Sequence, residues 1–305
     1  MATLELPFNT LVIESLQLEY RMVLDEVYRR AVINQPRGMK VYDAGFTVLK
    51  ITQPMLPQLP VKTGRGVNMD IAMIEAIQLV AGKRHDDLVL KIAPQFEAYT
   101  NVREIGDDDD RTERYFHGNY GDRMSTGYAH QCDTDEWHNS WLECVVYKIK
   151  KDRDTRQAVV NIWDNSLDNT IAGANDYPCT VAIQFRIFRN QLDMHVTMRS
   201  NDAWKGLPYD VFQFNQAHWT VANMLSLPLG SYYHVTTSMH IYDEDTPKIG
   251  AVHNRGYGAS TRMPYGFNNV VNAQLILAQV EWPYSASERW YVDRLAPYLS
   301  DEKEK

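Results

Sequence analysis

Residues 198–214 read MRSNDAWKGLPYDVFQF, and the fold turns on what lies on either side of them. They join LDMHVTMRS (192–200), which has strand composition, to VFQFNQAHWTVANML (211–225), which reads as a buried helix. Working outward, AVVNIWD (158–164), CTVAIQFRIF (179–188) and YYHVTTSMHIY (232–242) are β-branched and aromatic enough to be strands. Leu16 to Ala31 has helical spacing and predicts a helix ending near Asn34, where Pro36 and Gly38 break it. Val41 to Ile51 then reads as a strand, and PMLPQLP (54–60) as a loop. MDIAMIEAIQLV (69–80) is an apolar helix stopped by Gly82, with one carboxylate, Glu75, embedded in it. Trp137 to Lys150 returns to helical periodicity, and QLILAQVEW (274–282) is strand-like. HNRGYGASTRMPYG (253–266) reads as a surface loop. Between about 102 and 138 the chain is acidic and irregular, as expected of a solvated insertion. With no repeat and no shift of composition, the pattern predicts one α+β domain over residues 1–305.

Composition narrows the function. Hydrophobic residues at 44% and charged residues at 23% are ordinary globular usage, and 305 residues suffice for a large core. A formal charge of −8 argues against a general nucleic-acid surface, so any phosphate is expected to meet a few placed arginines. No stretch has the length of a membrane helix, and MATLELPFNT lacks the charge and apolar pattern of a secretory signal. Cys132, Cys144 and Cys179 form no disulfide framework or CxxC site, and the histidines show no metal-binding spacing. A reducing cytoplasm and a metal-free protein are the expectation.

Cys179 is the first candidate nucleophile. A lone cysteine in an apolar strand is usually an inert buried thiol. This one follows the loop GANDYP (173–178) at a strand start, where ligands reach, and the arginine of MRSND follows it. A thiolate near a guanidinium has its nucleophilic form stabilised.

The ordered set TRQAVVNIWD (155–164), YPCT (177–180), MRSNDAWKGLPYDVFQF and SMHIYDED (238–245) resembles the catalytic half of the thymidylate synthase family. AMIEAIQLVAGK (72–83) is similar to that family's helix with a catalytic glutamate, and GNYGDRM (118–124) to its tyrosine–glycine motif. The resemblance implies a central mixed β-sheet backed by helices, in a two-fold dimer formed across the sheet face. It implies Cys179 as nucleophile, with Glu75 and Tyr120 as catalytic partners. Arg37, in QPRGMK (35–40), takes the place of a mobile phosphate-binding arginine. Arg199 and Ser200 would hold the phosphate, Arg156 would reach in from the partner subunit, and His240 and Tyr242 would bind the sugar hydroxyl. Asp202 would contact the pterin of methylenetetrahydrofolate, and Gly206 would leave room for it. The chain departs from the pattern where Gln157 replaces a second arginine and Met198 a glutamine.

Asp210 is the departure that bears on substrate. It stands where thymidylate synthases have an asparagine that reads the 4-carbonyl and N3–H of uracil. Cytosine presents a 4-amino donor and an N3 acceptor, which an acidic side chain with one shared proton matches. An aspartate here resembles the cytidylate 5-hydroxymethylases within the family; the plain alternative is a helix-capping aspartate. KIAPQFEAYTN (91–101) lacks the tryptophans that wall the family's methylene pocket. A wetter pocket lets water attack the methylene, with Glu75 ordering that water. The expected activity is therefore one-carbon transfer to C5 of dCMP or CMP, giving a 5-hydroxymethyl nucleotide. The alternatives are a C5-methylating homologue (a cytidylate methylase, or a divergent thymidylate synthase acting on dUMP) and a non-catalytic nucleotide- or RNA-binding homologue.

Overall fold

The computed structural model describes residues 9–61, 63–104, 112–131, 137–170, 173–253, 266–281 and 283–299; for 127–131 and 137–139 it gives the backbone only. The N-terminal third contains β1 (Asn9–Ile13), α1 (Leu16–Arg30), β2 (Val32–Asn34), β3 (Val41–Asp43), β4 (Thr47–Ile51), α2 (Met69–Ala81) and α3 (Asp86–Ile92). Next come β5 (Asn101–Glu104), β6 (Thr112–Tyr115), α4 (Tyr120–Met124), β7 (Ser125–Gln131), β8 (Trp137–Ser140) and α5 (Trp141–Lys151). Then follow β9 (Val159–Asn161), α6 (Asn165–Asp168), β10 (Thr180–Phe188), β11 (Gln191–Met198), β12 (Asn201–Asp202), α7 (Leu207–Leu225), β13 (Leu229–Thr236) and β14 (Met239–Tyr242). Two helices close the described chain, α8 (Val270–Leu277) and α9 (Ala286–Leu299).

The described strands form a mixed sheet in the order β1-β4-β13-β11-β10-β9 and a smaller one in the order β12-β14-β3-β2. β10 and β11 are joined by a tight turn in which Arg189 and Asn190 both have positive φ, the hand that matches strand twist. In β13 burial alternates along the strand, so Tyr232, His234 and Thr236 point into the core while Tyr233 and Val235 face the open side. α7 and α2 pack together behind the sheet. α2 is apolar nearly all round, as a central helix must be. Asn68 caps its first turn, accepting from the Asp70 and Ile71 amides, and Gly82 ends it in the left-handed conformation at φ 61°.

Several boundaries differ from the sequence reading. The first helix stops at Arg30, and Val32–Asn34 pair with β3 as an edge strand. Val41 to Ile51 is two strands in two sheets, broken at Gly45, whose φ of 72° turns the corner while its N–H donates to Asp43. YYHVTTSMHIY splits likewise into β13 and β14. The two corners are tied together, Ala44 N–H to Met239 O and Met239 N–H to Gly45 O. QLILAQVEW is not a strand. Its first residues close α8, which Asn269 caps by accepting from the Asn272 amide. Buried Val270, Ala273, Ile276 and Leu277 give that helix its face, and a window opening at Gln274 misses both cap and face. Trp137–Ser140 is a strand, and the helix begins at Trp141 behind the Ser140 cap. The segment 102–138 is more regular than expected, with two strand pairs and a short helix; its acid run, 105–111, lies outside the described residues, as do residues 254–265 of the surface loop. Among the described residues no helix is long and apolar enough to cross a membrane, and no group of three or more His, Cys, Asp or Glu is placed to hold a metal.

Candidate active site

A cavity of about 300 Å³ opens where α2, α4, the loop before β10 and the start of α7 meet. Glu75, Tyr120, Asp176, Cys179, Gly206 and Asp210 line it. Five of these were candidates from sequence; Asp176 was not.

Cys179 ends the loop that feeds β10, half-buried against the core. The Arg199 guanidinium lies 3.8 Å from its Sγ, held there by Nε donating to Pro178 O and Nη2 to Tyr177 O. Trp163 lies beneath the guanidinium, 5.5 Å from ring centroid to Cζ. Burial pushes the thiol up to about 11, against the pull of Arg199; Asp210 and Asp176 push it further, and Arg37 pulls it down. At neutral pH Cys179 rests as a neutral thiol. Site-resolved alkylation of Cys179 by iodoacetamide is therefore expected to be slow at neutral pH and to keep rising toward about pH 11. A plateau near the ordinary thiol value of about 8.5 would contradict this.

Three carboxyls share the cavity, and each resists ionisation. Burial raises Glu75 to about 8, helped by Asp210 and Asp176. Burial raises Asp210 to about 7 against the hydrogen bonds of Asn201 and Gln213. Asp176 is raised by burial too, although Gly118 N–H donates to its Oδ2 and His117 and Arg199 oppose the shift. Gly118 has no room for a side chain, since a Cβ there would lie 2.6 Å from Asp176 Oδ2. Tyr120 accepts from the Thr180 amide and stacks on Phe214; burial holds its hydroxyl well above the usual phenol range, so it remains a donor.

Asp210 is not a helix cap. Gly206 occupies the N-cap of α7, and the Asp210 carboxylate instead accepts from Asn201 Nδ2 at 2.7 Å and Gln213 Nε2 at 3.1 Å. A Cβ on Gly206 would stand 3.2 Å from Asp210 Oδ2 and 3.3 Å from Asn201 Nδ2, so the glycine protects this pair as well as the cavity.

The remaining candidates do not line the cavity. Arg37 is exposed, in a left-handed conformation at φ 53°, and near enough for its charge to reach Cys179. Ser200 follows Arg199 and is half-buried. Asp202 Oδ1 accepts from the Trp204 and Lys205 amides, while its Oδ2 is buried with no partner among the described residues. Such an orphan acceptor fits the N–H donors of a pterin. His240 and Tyr242 stand edge to face on β14, and Lys205 lies over the Tyr242 ring. Arg156 is exposed before β9, away from the cavity of its own chain.

Asp176 had a weak signal in the sequence, an acid three residues before Cys179, but only the approach of Gly118 brings it inward. Asn201 stood inside the deciding motif, and nothing local distinguished its amide from a surface one.

Comparison with known proteins agrees with this architecture. The sequence model of the family described as Thymidylate synthase matches residues 20–271. The chain is similar to a deoxyuridylate hydroxymethyltransferase of Bacillus phage SP01, 28% identical over 230 residues, 74% of this chain and 57% of the relative. It is also similar to a deoxyuridylate hydroxymethyltransferase of Pseudomonas phage M6, 27% identical over 187 residues, 61% of this chain and 48% of the relative. A thymidylate synthase of Aster yellows witches'-broom phytoplasma is 26% identical over 108 residues, 35% of this chain and 36% of the relative. The chain thus spans about half the length of the two phage relatives. With a family match that covers most of its length and an α+β fold of mixed sheets, this chain belongs to the thymidylate synthase family.

Proposed function

We propose that this protein transfers a one-carbon unit to C5 of a pyrimidine nucleoside monophosphate and hydrates it to the 5-hydroxymethyl nucleotide, with CMP or dCMP as the matched substrate. The observation that carries this reading is the convergence of Cys179 and Asp210 on one cavity. Cys179 Sγ adds to C6 of the ring, its proton leaves, and C5 gains carbanion character. Charge builds on N3 and the 4-substituent, where Asp210 receives the 4-amino hydrogen and shares a proton with N3. Bound methylenetetrahydrofolate supplies the one-carbon unit, with Asp202 and Gly206 as its contacts. Loss of the C5 proton together with release of tetrahydrofolate would leave the exocyclic methylene on C5; water adds to it, and expulsion of the Cys179 thiolate restores the aromatic ring.

The wall of the cavity supports hydration. Phe96 and Tyr99 of the 91–101 segment line it in place of tryptophans, Phe116 joins them, and Gln78 lies one turn beyond Glu75. A Glu75 carboxyl raised to about 8 exchanges its proton near neutrality, suited to orienting water and moving protons. Arg199 and Ser200 would take the phosphate, with Arg37 closing from the rim and Arg156 from a second copy across the open sheet face. That face carries the exposed Val12 and the rings of Tyr233 and His195, which stack on each other at 4.6 Å.

A second reading is deoxyuridylate, favoured by the names of the two phage relatives. A protonated Asp210 offers uracil a donor to O4 and an acceptor for N3–H. Side-by-side incubation of CMP, dCMP and dUMP with the folate, read by product mass, separates them. A hydroxymethyl gain on a cytidylate is expected. A methyl gain with dihydrofolate would sink the hydroxymethyl reading, and turnover of dUMP alone would sink the cytidylate one.

A further inference from the structure

Behind Asp210 runs a hydrogen-bonded chain whose other members lie outside the cavity lining. Tyr232 Oη meets His234 Nδ1 at 2.9 Å, His234 Nε2 meets Asn201 Oδ1 at 3.0 Å, and Asn201 Nδ2 meets Asp210 Oδ2 at 2.7 Å. Tyr232 and His234 share the inward face of β13 and are fully buried, and Asn201 is buried on β12. Each link fixes the next. Burial holds His234 down to about 3, so the ring is neutral and carries one N–H. Asn201 turns its amide N–H to the carboxylate, so its carbonyl faces Nε2, which must be the protonated nitrogen. Nδ1 is then an acceptor and takes the hydroxyl of Tyr232. Every donor points toward Asp210.

We propose that Asn201, locked by His234 and Tyr232, is a positioning residue that fixes which oxygen of Asp210 bears negative charge and so sets the choice of base. With Oδ2 held by the shorter bond, Oδ1 is the oxygen that takes and returns the shared proton. The inference rests on the base-reading role of Asp210 proposed above. Other groups that face Asp210 are Glu75 from α2, Tyr120 from α4, Cys179 from the loop before β10, Asp202 from β12 and Tyr232 from β13. Asn201 differs from them in acting through one directed bond.

The test compares Asn201→Ala, His234→Leu, His234→Gln and Tyr232→Phe in the full chain. The readouts are C5-hydrogen exchange and kcat/KM for dCMP and dUMP across pH. Loss of the Asn201 donor is expected to cut the base preference about tenfold or more, the size of one buried bond to a charged acceptor. It also moves the pH break set by Asp210 upward, since a donor that favoured the ionised form is gone. His234→Leu should do the same, and His234→Gln, which keeps an N–H, should retain both properties. In an Asp210→Asn background the Asn201 change should no longer alter the pH profile. An unmoved preference and break in Asn201→Ala would overturn the proposal, as would an equal effect in the Asp210→Asn background. Where Asn201→Ala fails to fold, Tyr232→Phe decides by the same two readouts. Exchange at C5 needs no hydroxymethyl product, so absence of that product sinks the proposed function while leaving the relay measurable.

Discussion

Cys179→Ser is expected to lower C5-hydrogen exchange and product formation by a factor on the order of 10³ or more. The reason lies in the proton. The thiol already sits at about 11 through burial, against which Arg199, and less strongly Arg37, work. A serine hydroxyl in the same place starts several units higher and is a poorer nucleophile when ionised, so the same guanidinium falls far short. The loss should appear in kcat with nucleotide binding retained, since Arg199 keeps its anchors on Pro178 and Tyr177 without the sulfur. C5-tritiated dCMP, with and without the folate, gives the measurement. Exchange in the variant at a rate near that of the parent protein would remove Cys179 as nucleophile.

That the thiol could be singled out at all came from order along the chain, not from the thiol itself. The run from Met198 to Phe214 declares a strand end, a glycine, a proline and a buried helix within seventeen residues, all local signals. Sheet membership is not local. β3 and β4 look like one strand because the residues on both sides of Gly45 have strand composition and a lone glycine does not end one; the break is set by Gly45 turning toward Met239, far along the chain. The same holds for Asp176, which enters the cavity because Gly118, 58 residues away, lets it approach. His234 did leave a trace. Tyr232 and His234 lie two apart in a strand whose inward register is otherwise apolar or small, and two polar groups there demand partners. Only the fold says that the partner is Asn201.

The largest change in specificity is expected from Asp210→Asn, with kcat/KM shifting from dCMP toward dUMP by about 10²-fold, the size of one or two mispaired buried hydrogen bonds. An amide donates a hydrogen bond to N3 but cannot transfer a proton as charge develops there, whereas a carboxylic acid can. Uracil needs no such transfer, because an amide N–H pointed at O4 stabilises the growing enolate as it stands. The pH profile carries the same argument with a definite sign. Under the proposed mechanism, reaction with cytidylate requires Cys179 without its proton and Asp210 with one, so the reactive form holds one proton across the pair. That count prevails between about 7 and about 11, the values for Asp210 and Cys179. In the parent protein kcat/KM should climb with pH to about 7 and then level. In Asp210→Asn only the thiol of the pair remains to titrate, so the break near 7 disappears and the climb continues, with Glu75 at about 8 common to both proteins. A variant that keeps both the cytidylate preference and the break would show that another group reads the base, and Asp210 would then be a buried carboxyl held by Asn201 and Gln213 for structure alone.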